Sequence, residues 1–125
     1  MERTKKFTIG SKSFVAKFPN VGQIIDIDSM KQALSSNRYG NMAASGVVSA
    51  YFALDLIDAI SFLTIVCPDV QRYFDIKNYT TMQIDEINEI VKAYTEQIRP
   101  WYDKTMNELK GISTKPQDGE TEGAA

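Results

Sequence analysis

There is no histidine among the 125 residues, and there is only one cysteine. The first absence removes the commonest general base and metal ligand. The second rules out an intrachain disulfide, and so small a chain without a disulfide framework fits a reducing, cytoplasmic setting. Cys67 sits in the apolar run Ile65-Val66-Cys67, where it reads as a small buried hydrophobe with nothing beside it to activate a thiol. The seven glycines are dispersed, so no loop is built to cradle a phosphate. No cysteine cluster could hold zinc, and neither a cofactor nor a metal is expected. A basic stripe is missing as well. The net charge is −2 with Lys and Arg scattered, which argues against nucleic acid as a partner.

Long uncharged runs are scarce. The most apolar stretch, Val47 to Cys67, is about as long as a membrane span. Asp55 and Asp58 lie near its middle, where charge is costly in lipid, so a buried core helix is expected and no membrane partner. The basic start Met1 to Lys6 leads into an alternating segment with Gly10, Ser11 and Lys12, unlike the apolar core of a signal peptide. No internal repeat is present.

What the chain does contain is enough apolar material, 43% against 24% charged, for one modest core. Phe7 and Ile9, then Phe14, Ala16 and Phe18, alternate with polar residues on either side of Gly10-Ser11-Lys12. That pattern predicts a β-hairpin over about 6–18 with one aromatic face. The face needs a helix or a partner's strand to lie on, and an unpaired edge could recruit one. Pro19 ends the second strand, and Asn20 with Gln23 reads as a capping box opening a helix over about 21–34. The polar segment Ser35 to Asn41 is expected to be a loop.

A second helix, over about 43–66, carries the continuous stripe Val48, Phe52, Leu56, Ala59, Leu63 and Val66 and should be the centre of the core. Pro68 stops it. Asp69 to Phe74 suggests a short helical turn, and Thr80 with Gln83 suggests a capping box. A last helix over about 83–110 has the clearest periodicity, from Ile84 through Ile87, Val91, Tyr94 and Ile98 to Leu109. Pro100 predicts a kink or two helices meeting at an angle, and Gly111 a C-cap. The fold class is therefore α+β, predominantly α. A hairpin packs on about three to four helices in one domain over 1–112, followed by a tail over 113–125 too polar to order itself.

Two groups of residues are candidates for a site. Asp55 and Asp58, one helical turn apart, could share a proton or hold a divalent cation. Equally, they could mark an exposed stripe or pair with Lys or Arg from a neighbouring helix. Trp101 and Tyr102 beside Pro100 are the first choice for a protein-binding patch, with Tyr94, Tyr73 and Phe74 as further aromatic anchors weighed against plain core packing. Tyr39 and Met42, ahead of the second helix, are a second such candidate. No catalytic residue is assigned, and the reading is that of a protein-binding chain and not an enzyme.

The phrases Lys6-Phe7-Thr8-Ile9 and Phe18-Pro19-Asn20-Val21-Gly22-Gln23, followed by Ile24-Ile25-Asp26-Ile27, resemble the start of tail assembly chaperones of long-tailed bacteriophages. The order is similar too: an apolar helix with Leu54-Asp55-Leu56-Ile57-Asp58-Ala59-Ile60, then an acidic-start helix ending Ile98-Arg99-Pro100-Trp101-Tyr102. The resemblance covers about Lys5 to Lys110. It implies a protein absent from the virion that acts in the host cytoplasm, binds the helical tape measure protein and helps tail tube subunits assemble around it. It also implies a longer form made by frameshifting. The rivals are a virion structural or connector protein and a small adaptor domain. Self-association into a homo-oligomer is open on each reading.

Overall fold

The computed structural model describes residues 2–114. Among them the architecture is α+β and mainly α: an antiparallel two-stranded hairpin followed by five α-helices, with two 3-10 segments and one π-helical turn between them.

Strands β1 (Thr4–Ile9) and β2 (Lys12–Lys17) pair with Phe7 opposite Phe14 and Ile9 opposite Lys12. That register leaves a two-residue turn, Gly10-Ser11. Gly10 takes φ +59°, the positive value such hairpin turns require at their first central residue. Alternation then does the sorting. Phe7, Ile9, Phe14 and Ala16 are buried, while Lys6, Thr8, Ser13, Val15 and Lys17 are exposed. The Phe7 and Phe14 rings stack at 5.5 Å between centroids.

Helix α1 (Val21–Ser35) begins as expected. The Asn20 side chain accepts from the Gln23 backbone N–H at 2.9 Å, and Gln23 returns the bond to the Asn20 N–H at 3.0 Å. Replacing Asn20 by alanine should cost about 1 kcal/mol and lower the melting temperature by about 4 °C, read by circular dichroism. An unchanged melting curve would mean that the cap contributes nothing.

Beyond α1 the expected boundaries shift. The loop expected over Ser35 to Asn41 is shorter, because α2 (Tyr39–Ser45) starts inside it. The helix expected over 43–66 is two. Gly46 adopts φ +67°, a left-handed conformation that ends α2 before α3 (Val48–Val66) starts. The expected turn after Pro68 is a 3-10 segment, Pro68–Arg72, and a second one spans Ile76–Thr81. Thr80 belongs to that second segment and is no cap. Gln83 itself precedes α4 (Ile84–Ala93), and its backbone N–H donates to Glu86 Oε1 at 3.2 Å.

Pro100 falls at the second residue of α5 (Arg99–Thr114). Its missing N–H and bulky ring are accommodated just upstream by a π-helical turn, Tyr94–Ile98, in which the Arg99 N–H reaches back to the Tyr94 carbonyl. Gly111 lies within α5 and is not its C-cap. The tail expected from Ser113 lies, beyond Thr114, outside the described residues.

One core cluster draws on the hairpin, α1, α3, both 3-10 segments, α4, the π turn and α5. Helix α3 is its centre, as the apolar stripe predicts, but only over part of its length. Ile57 and Ala59 to Leu63 are buried, whereas Val48 and Phe52 of the same stripe are exposed.

Candidate protein-binding surface

The carboxylates of Asp55 and Asp58 converge on Arg99, the first residue of α5. One guanidinium nitrogen, Nη2, lies 2.8 Å from Asp55 Oδ1 and 3.1 Å from Asp58 Oδ2. Lys31 of α1 approaches Asp58 at 3.3 Å. The Tyr39 hydroxyl of α2 donates to Asp58 Oδ1 at 2.6 Å. Arg99 also lies over the Tyr94 ring, 5.2 Å from its centroid. Burial works against the Arg99 charge, but the hydrogen bond and charge of Asp55 outweigh it and raise the pKa. Burial first, and then the bond to Asp58, raise that of Tyr39.

This arrangement clamps α1, α2, α3 and α5 together, and it corresponds to the ion-pair reading of the two aspartates. No group of three or more Cys, Asp or Glu able to hold a metal ion occurs among the described residues. Arg99→Leu should cost about 2 kcal/mol, since it strands a carboxylate pair that is only partly solvated. In a double-mutant cycle with Asp58→Asn the two losses should be clearly less than additive. Full additivity by urea unfolding would remove the clamp.

The aromatic candidates are not gathered in one place. Trp101 is buried; its indole N–H donates to the Glu2 carbonyl at 3.0 Å, and it meets Phe18 edge-on. Tyr102 is half-buried and stacks on the other side of Phe18 at 5.2 Å. Tyr94 is buried against Phe62. These three serve the core, because α5 supplies the cover that the hairpin needs. Phe74 is half-buried beside Phe14. Tyr73 is exposed but lies under Lys12 and against Phe14. Tyr39 and Met42 are half-buried on α2.

The hairpin edge is occupied as well. Gln97, presented by the π turn, pairs with Thr8 through both halves of its carboxamide: Thr8 N–H to Oε1 and Nε2 to Thr8 O, each at 2.9 Å. It stands where a neighbouring strand would. On the other strand the Cys67 thiol donates to the Val15 carbonyl at 3.5 Å.

The surface that the spacing argument missed is the arm formed by α2 and the first turns of α3. Val47, Val48, Tyr51 and Phe52 are exposed by 52, 77, 49 and 40%. Helical spacing places Val48, Tyr51 and Phe52 on the same side as Ala59, Phe62 and Leu63, so the stripe that forms the core continues into solvent. A signal was present: residues 39–54 contain no charged side chain. By length and composition α3 could also cross a membrane, although Asp55 and Asp58 hold its middle to the clamp. No family model, curated protein or solved structure matches the chain.

Proposed function

We propose that the chain is a non-catalytic tail assembly chaperone of a long-tailed phage. It holds the tape measure protein and tail tube subunits in the host cytoplasm and leaves before the virion is complete. The resemblance described above names the family. The observation that carries the binding mode is the uncovered α3 stripe at Val48, Tyr51 and Phe52. An amphipathic client helix would lay its apolar face along these turns, the helix-in-groove mode of recognition. An arm without charge sets no electrostatic condition on register, which suits a long client with many similar segments.

The test is an affinity capture of the tagged chain from infected cells, with mass spectrometry of the captured proteins and of purified particles. The expected result is a long helical tape measure protein and tube subunits in the capture and none of this chain in particles. Recovery in particles at fixed copy number would replace the reading with that of a virion structural or connector protein.

A further inference from the structure

We propose that the α2–α3 arm pairs with the same arm of a second copy, in a two-fold contact centred on Val48, Tyr51 and Phe52. The exposed part of the α3 stripe is a core surface without its cover. The four large side chains of the arm present on the order of 400 Å² of apolar surface, the size at which a patch on a monomer is usually functional. Exposed small residues flank them: Ala43, Ala44, Ser45, Gly46 and Ser49. With these the arm approaches the ~800 Å² per partner of a standard interface, and their size lets two helices come close.

Charge selects the second copy as the occupant. An isologous contact sets each residue near its own symmetry mate or near its neighbours' mates. Around the exposed faces of α4 and α5 that would oppose Glu86, Glu89, Glu96 and Glu108, and across the outer hairpin face Lys6 and Lys17, like against like. Residues 39–54 carry no charge, so two arms meet without repulsion. The pairing does not depend on the client. What rests on the proposed function is its consequence: the second copy caps the client face, and a client helix must displace it.

The test is sedimentation equilibrium of the full chain. The mass should rise toward twice the 14.0 kDa of one chain with a dissociation constant in the micromolar range, ~1–100 μM. Val48→Lys, and independently Tyr51→Lys, should each weaken association at least about tenfold. Both positions are exposed, so the melting curves should be unchanged. Val21→Lys, at a residue 75% exposed on α1, should leave association as it was. A chain that stays monomeric throughout overturns the proposal, whether or not it floats with lipid vesicles. So does a dimer indifferent to both arm substitutions, or one equally sensitive to Val21→Lys. A monomer that still captures the tape measure protein removes only the pairing; a dimer that captures none removes only the chaperone.

Discussion

Phe62→Ala is expected to destabilise the protein by about 4 kcal/mol, a larger loss than that from Asn20→Ala or Arg99→Leu. The side chain is 2% exposed at the middle of α3. Its ring packs at 5.6 Å from both Tyr94 and Tyr102, and so joins α3 to the π turn and to α5. Truncation removes the transfer free energy of a benzyl group and leaves a cavity that cannot close, because both neighbouring rings are held elsewhere. Tyr94 lies under Arg99, and Tyr102 is stacked on Phe18. Against the roughly 5–15 kcal/mol that a domain of this size possesses, the loss should move the urea midpoint far down. A change below about 1.5 kcal/mol would mean that the neighbours refill the space and that the site is not a rigid junction.

Alkaline solution should be the second large perturbation. Burial, helped by the charge of Asp69, pushes the Cys67 thiol from 9.0 up to about 11. Burial likewise raises Tyr39, Tyr94 and Tyr102, with Asp58 adding to the first two and Asp103 to the third. All four groups keep their protons longer folded than unfolded. The unfolded chain therefore loses protons first as pH rises, and each loss favours unfolding. The stability these groups contribute is complete below about pH 8.5 and disappears as pH climbs through about 11, at a cost of ~2 kcal/mol from Cys67 alone. With no histidine, no side chain titrates at its ordinary value between about pH 5 and 8. Unfolding free energies by urea should thus be flat from about pH 6 to 8 and fall steeply above 9. A break inside the neutral range, or undiminished stability at pH 11, would contradict this.

What could be read in advance follows the range of the interactions. The hairpin and the start of α1 are local: Phe7 and Phe14 face each other because of a turn two residues long, and Asn20 bonds a residue three positions away. The pattern shows these directly. Boundaries set by backbone conformation were harder. Gly46 could continue a helix or end it, and only its φ of +67° separates α2 from α3. Gly111 continues α5 where a cap was expected. Pro100 announced a disturbance, but its form, a π turn delivering Gln97 to Thr8, depends on a strand 89 residues away. The candidate site shows the same limit. Asp55 and Asp58 carry no label naming Arg99, which is 44 and 41 positions distant. Trp101 and Phe52 are both large aromatics at helical spacing. Which of them is covered is decided by what packs opposite, and Glu2 and Phe18 cover Trp101.

The fastening of Trp101 and Thr105 to the carbonyl of Glu2 joins positions 99 and 103 residues apart. In a chain made from its N-terminus, the aromatic hairpin leaves the ribosome first and its cover last. A lone hairpin is marginal in water, so through most of translation Phe7, Phe14 and Phe18 have nothing to rest on. The first and final segments must then meet across nearly the whole length, a closure that slows folding. The nascent protein is thus a sticky intermediate until α5 emerges. Ribosomes stalled before Trp101 should display chains that proteases cut readily within the hairpin, and those stalled well beyond Thr114 should not.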